Sequence, residues 1–222
     1  MRVINYGDCR VDVGLCNLRC PYCVHLEHEL RDVSPDEIAS SLKGCESVYI
    51  GGAEPTVHAD LAKLLEKLKE NGSYITLKTN GYLPSKIEEV LHYVDRFVFE
   101  IKGDFNDIDT VAFMSGLSRE RARKYISNLE KSLEIARKGG KTIRLWFRII
   151  PGYVDEKRFT RMLEKVGIVD EILLYQFLSR PDWDKPVEGL EKPDYKFVRK
   201  LGAIAKQYAG RVIIIGDRRE SI

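Results

Sequence analysis

The sequence predicts an α/β protein in which a strand and a helix alternate about six times, with one extra strand at the end. Three observations predict it. Short β-branched and aromatic runs recur along the chain, among them 47–50, 74–77, 97–102, 142–150, 171–177 and 212–215. Apolar residues at helical spacing fall between them. No change of composition and no linker interrupts the series, so residues 1–222 read as a single domain. Alternation of this kind calls for a parallel sheet covered by helices.

The elements follow in order. Arg2 to Tyr6 and Cys9 to Gly14 read as a hairpin turning at Gly7-Asp8, with Val11 and Val13 alternating against Arg10 and Asp12. Ser34-Pro35-Asp36-Glu37 is a helix start, with Ser as the cap, Pro in the first turn and Glu three residues after the cap; Gly44 marks its stop. Leu61, Leu64, Leu65 and Leu68 give the next helix its stripe, and Asn71-Gly72 ends it. Further helices are expected at 84–92, 107–114, 118–138, 156–166 and 194–208. Ala122, Tyr125, Ile126, Leu129 and Leu133 form the buried face of the long one. Pro181, Pro186 and Pro193 place a polar loop before the last helix.

Composition excludes several classes. Net charge is +2, too small to argue for nucleic acid. The apolar runs are too short for a membrane span, and the first residues lack a signal-peptide core, so a cytoplasmic protein is expected. Basic segments such as Arg119-Glu120-Arg121-Ala122-Arg123-Lys124 read as solvated helix faces. The two glutamines, Gln176 and Gln207, beside many Lys, Arg and Glu lean toward a thermophilic source. His25, His28, His58 and His92 read as surface or loop histidines.

The chemistry concentrates in Cys16-Asn17-Leu18-Arg19-Cys20-Pro21-Tyr22-Cys23. A cubane [4Fe–4S] cluster takes four thiolates, one per iron. Cys16, Cys20 and Cys23 would hold three irons and leave the fourth open to another ligand. Other chemistry-bearing stretches also stand at strand ends, where parallel βα architectures place their sites. These are Gly51-Gly52-Ala53-Glu54-Pro55, Lys78-Thr79-Asn80-Gly81, Glu100 with Lys102, Pro151-Gly152, and Gln176. Two rivals exist. Cys20-Pro21-Tyr22-Cys23 alone is a glutaredoxin-type dithiol motif, which leaves Cys16 unexplained. A zinc site would need His25 or His28 as its fourth ligand.

The C-x3-C-x2-C pattern with an aromatic before its last cysteine resembles the signature of the radical S-adenosylmethionine superfamily. The resemblance implies a partial (β/α)6 TIM-like barrel, a [4Fe–4S] cluster on Cys16, Cys20 and Cys23, and S-adenosylmethionine on the open iron. It implies a cofactor contact for Tyr22 at the adenine. Gly51, Gly52, Ala53 and Glu54 resemble a Gly-Gly-Glu-Pro stretch that meets the methionine ammonium, with Ala53 where a second glycine is usual. Thr79 and Asn80 resemble a Thr-Asn-Gly stretch near the ribose. Glu100-Ile101-Lys102 resembles the Asp-Leu-Lys of the glycyl-radical activating enzymes, and Ile150-Pro151-Gly152-Tyr153 their Val-Pro-Gly turn. Arg144 and Arg148 share a strand face with Trp146, and either could meet the methionine carboxylate. The expected partners are a glycyl-radical enzyme and a flavodoxin- or ferredoxin-type electron donor. The alternative is a small-molecule substrate, as in 7-carboxy-7-deazaguanine synthase. The chain departs from the activases at Val24-His25 after the last cysteine, at Tyr175-Gln176-Phe177-Leu178, and in lacking a ferredoxin insert. Cys9 and Cys45 begin neighbouring parallel strands and are expected as buried thiols, or as a disulfide if the source is a hyperthermophile.

Overall fold

A computed structural model describes residues 1–222. The chain divides into two compact units. One is Met1–Asn17, His25–Phe99 and Asn128–Thr142; the other is Leu18–Val24, Glu100–Ser127 and Ile143–Ile222.

In the first unit, β1 (Arg2–Gly7) and β2 (Arg10–Val13) form an antiparallel hairpin closed by the Gly7↔Arg10 pair. Its two-residue loop, Asp8-Cys9, has positive φ at both positions, the geometry that matches hairpin twist. β2 then pairs in parallel with β4 (Ser47–Gly52), β4 with β5 (Tyr74–Thr79), and β5 with β6 (Arg96–Ile101). Helices α1 (Pro35–Ser41), α2 (Leu61–Glu70) and α3 (Pro84–Val90) separate these strands. The Ser34 hydroxyl accepts from the Glu37 N–H at 3.1 Å, as the capping pattern predicts. In α2 all four leucines of the stripe are buried.

The second unit carries α4 (Ile108–Ser115), β7 (Thr142–Ile149), α6 (Glu156–Val166), β8 (Val169–Gln176), α7 (Tyr195–Ala205) and β9 (Ala209–Ile215). α5 (Arg119–Lys138) begins in this unit and ends in the first. β7, β8 and β9 are parallel neighbours. Ala122, Tyr125 and Leu129 of α5 are buried, as its stripe requires.

Two strands have no sequence signal. β3 (Arg31–Asp32) and β10 (Arg219–Ser221) are short, charged edge strands, antiparallel to β1 and β9. Their pairing comes from where the chain passes, not from their own propensity.

Cys9 and Cys45 differ from their first expectation. They are half-buried and joined in a disulfide, with Cα atoms 5.5 Å apart, just before the parallel β2 and β4. The other three cysteines form no disulfide. The closed loop spans a sequence separation of 36 residues. The chain-entropy model makes the bond worth about 4 kcal/mol. Reduction is therefore expected to lower the thermal midpoint by about 10 °C. Native alkylation should trap three thiols, and all five after reduction. Five reactive thiols in the native oxidised protein would overturn the pairing.

Candidate cofactor site

Unit one supplies the first group of residues. β2, β4 and β5 are parallel neighbours, so their C-terminal ends lie side by side. After β2 the chain passes through Leu15, a bulky residue held at φ 60°, and reaches Cys16. The Leu15 carbonyl accepts from the Glu54 N–H at 3.0 Å, and the Val13 carbonyl from the Ala53 N–H at 2.8 Å. Gly52 has φ 87°, and a Cβ there would lie 2.5 Å from the Val13 carbonyl oxygen, so only glycine fits. Ala53 is not among the positive-φ positions, and the departure from glycine costs the backbone nothing.

Glu54 is fully buried and ties these strand ends together. Its Oε1 accepts from the Thr56 N–H (3.1 Å), the Thr56 hydroxyl (2.6 Å) and the Thr79 hydroxyl (2.7 Å). Its Oε2 accepts from the Asn80 N–H at 2.6 Å. Burial pushes the carboxyl pKa up, against the pull of those donors. Asn80 Nδ2 donates to Asn17 Oδ1 at 2.8 Å and lies 3.9 Å from Cys16 Sγ. Thus Glu54, Thr79 and Asn80 are brought together, and Asn17 and Cys16 with them. Substituting Glu54→Gln sets an amide N–H₂ against a ring of donors. The expected cost is about 2 kcal/mol, read as a lower thermal midpoint by circular dichroism. An unchanged midpoint would remove Glu54 from its organising place.

Unit two supplies the second group. Cys20 and Cys23 lie in a tight turn, with the Cys23 N–H on the Cys20 carbonyl at 3.1 Å. Gly116, after α4, lies against this loop. A Cβ there would sit 1.9 Å from the Arg19 carbonyl oxygen, and the Arg19 N–H reaches the Ser115 carbonyl at 2.9 Å. Tyr22 is fully buried. Its hydroxyl donates to the Met114 carbonyl at 2.9 Å, and its ring meets Phe177 edge-on at 5.9 Å. The Arg148 guanidinium lies 4.7 Å from the ring centroid and Lys102 Nζ 5.5 Å. The Tyr22 side chain is thus taken up by protein contacts.

Glu100 is the last residue but one of β6, and its Oε1 receives both Lys102 Nζ and Arg148 Nη1. Arg148 Nε also lies 2.7 Å from Asp184 Oδ1. All four charges are at most 6% exposed. Burial opposes the positive charges of Lys102 and Arg148, but nearby anionic groups outweigh it and hold both pKa values above their ordinary range. Burial pushes the Cys20 thiol up, and Lys102 draws it down. Of the two arginines read on β7, Arg148 joins this group. Arg144 pairs with Glu171 at 2.6 Å instead. Gln176 is buried and braces the Pro193 carbonyl and Asp217. His58 lies in a loop, as read, but is buried there, with Nε2 2.9 Å from the Gly14 carbonyl and a pKa lowered by burial.

Thiols are the ligand type that an iron–sulfur cluster takes. Cys16 in the first unit, and Cys20 and Cys23 in the second, are half-buried and outside any disulfide. Asn17 Nδ2, on the residue after Cys16, is a buried donor without an acceptor. Asn17 and Asp184 were not singled out from sequence. Asn17 had a signal, lying between two of the cysteines; Asp184, in a proline-bearing loop, had none.

Residues 12–166 match the family model described as the Radical SAM superfamily. A candidate glycyl-radical enzyme activating enzyme of Methanocaldococcus jannaschii is 26% identical over 207 residues, 90% of this chain and 85% of that protein. A candidate GTP 3′,8-cyclase of Sulfurisphaera tokodaii is 26% identical over 245 residues, 96% of this chain and 76% of that one. Among solved structures, a radical SAM methyltransferase from Sphaerobacter thermophilus superposes with a TM-score of 0.70 at 14% identity, over 93% of this chain and 65% of that one. At that identity the likeness shows the fold, the α/β class expected from the sequence.

Proposed function

The chain belongs to the radical S-adenosylmethionine superfamily, and from that premise we propose that it installs a radical on a glycine of a partner glycyl-radical enzyme. The family's cofactors are a [4Fe–4S] cluster and S-adenosylmethionine. Bound to this chain, the pair would supply reductive cleavage of S-adenosylmethionine and, through it, hydrogen-atom abstraction from a substrate. In this proposal Cys16, Cys20 and Cys23 hold the cluster. Gly51, Gly52 and Ala53 offer backbone groups to the methionine ammonium, and Glu54 fixes that strand end. Thr79 and Asn80 serve the ribose, and the Tyr22 segment lies at the adenine. Glu100, Lys102 and Arg148 hold the amino-acid end and keep it from water.

The observation that carries the activase reading is the buried Glu100–Lys102 pair. It matches the acidic residue and lysine of the activases, and accompanies a likeness that spans 85% of the candidate activating enzyme. The proposal treats residues 1–222 as one cytoplasmic catalytic domain, fed by a flavodoxin- or ferredoxin-type donor. No helix is long and apolar enough to cross a membrane. The likeness to a candidate GTP 3′,8-cyclase over 96% of this chain favours a second reading, a small-molecule substrate.

Anaerobic reconstitution should give about four irons and four sulfides per chain and, on reduction, 5′-deoxyadenosine. Incubation with a candidate glycyl-radical protein should then give a glycyl radical by electron paramagnetic resonance. Cleavage without that signal from any candidate, and with turnover of a small molecule, would overturn the activase reading in favour of the second.

A further inference from the structure

One of the buried charges, Asp184, has no part in the proposed cofactor contacts. Asp184 lies in the loop between β8 and α7, with its side chain at 0% exposure. The loop leaves β8 through Leu178, a bulky residue at φ 58°, whose N–H donates to Asp184 Oδ2 at 3.0 Å. A leucine in the left-handed region is costly and persists where its surroundings fix it. The same loop clasps the cysteine segment. Cys23 and Asp184 form an isolated antiparallel bridge, and the Lys185 N–H donates to the Tyr22 carbonyl at 3.1 Å. Asp184 therefore sits where the segment carrying two free cysteines meets the end of β7.

Its other oxygen faces Arg148. Oδ1 is 2.7 Å from Arg148 Nε, but the Nε–H is not aimed along that line, so charge rather than an aligned hydrogen bond holds the pair. Glu100 takes Nη1. With Nε and Nη1 occupied by carboxylates, Nη2 is the nitrogen they leave for an incoming anion. Tyr22 and Tyr175 confine the guanidinium, with ring centroids 4.7 Å and 5.4 Å from its Cζ. Buried ion networks of this kind are a poor route to stability, because desolvation offsets most of the attraction. Their use is geometric.

We propose that Asp184 is a positioning residue that fixes the Arg148 guanidinium for the carboxylate of S-adenosylmethionine and couples its orientation to the Cys20–Cys23 turn. This rests on the placing of Arg148 at the amino-acid end given above.

The test uses the reconstituted protein and two variants. Asp184→Asn removes the charge; Asp184→Glu keeps it on a longer arm, so the buried network stays neutral and the fold is preserved. Iron content and the circular dichroism spectrum of Asp184→Glu are expected to match wild type, and Asp184→Asn, left with one net positive charge, should fold with a lower thermal midpoint. Affinity for S-adenosylmethionine by calorimetry should fall about 10- to 100-fold in both. Affinity for 5′-methylthioadenosine, which has the nucleoside but no carboxylate, should change less than threefold. Equal loss for both ligands, or wild-type affinity for S-adenosylmethionine in a folded variant, would overturn the positioning role. Wild type binding 5′-methylthioadenosine as tightly as S-adenosylmethionine would instead remove Arg148 from the carboxylate, and the proposal with it.

Discussion

Cys16→Ala is expected to leave a folded protein with no cluster and no 5′-deoxyadenosine, at least a 100-fold loss of cleavage. The position is half-buried, and its sulfur lies 3.8 Å from Asn17 Oδ1 and 3.9 Å from Asn80 Nδ2, both long contacts. Removing it should cost the apo-protein about 1 kcal/mol, within the ordinary range for point changes. The cofactor has no such tolerance. A cubane held by three thiolates already has one iron without a protein ligand, and a second such iron opens the cluster to solvent and loss. Iron content, the visible absorption of the cluster and product formation should fall together while the far-ultraviolet spectrum stays native. The result also separates two chemistries. A dithiol module working through Cys20 and Cys23 alone would keep its function without Cys16. Retention of about four irons and of cleavage would break the assignment. Replacing Cys45, which is tied to Cys9 ahead of β2 and β4, should lower stability and spare the cluster.

The cysteine motif was legible because ligand spacing is a local property: three thiols within eight residues declare themselves without a fold. The β/α alternation was legible for the same reason, each strand and helix carrying its own period. Contacts made over long separations were not. Asp184 reaches Arg148 and the Cys23 segment from a loop with no period, and only the folded chain brings it there. β3 and β10 are strands by pairing alone. The disulfide was an open alternative because the sequence places Cys9 and Cys45 before neighbouring strands without fixing their register. Glu54 shows a third case. Its position in the Gly-Gly-Ala-Glu stretch was plain, but its carboxylate turns inward to four donors rather than outward to a ligand. Arg144 and Arg148 were equivalent on β7 until their partners separated them, Glu171 for one and Glu100 with Asp184 for the other.

Glu100→Gln is the substitution expected to cost the fold most. Glu100 is the anion between Lys102 and Arg148, and all three side chains are at most 8% exposed. With Asp184 they make two cations and two anions, neutral as a set. The glutamine keeps the volume and removes one charge, so a net positive charge stays in a site with little water to solvate it. Breaking a buried pair from one side costs about 3–5 kcal/mol. In a chain of this length that is a drop of about 10 °C or more in thermal midpoint. The Tyr125 hydroxyl donates to the Glu100 backbone carbonyl, not its side chain, so that contact survives and does not blur the comparison. Glu100→Asp keeps the charge one methylene short of its partners and should recover at least half of the loss. The activases carry aspartate at the matching place, which makes this variant a test of how far the two networks agree. A Glu100→Gln protein as stable as wild type would mean that Lys102 or Arg148 had released its charge or found water. Either outcome would end the account of these residues as a closed, neutral network built to receive one more carboxylate and one more ammonium together.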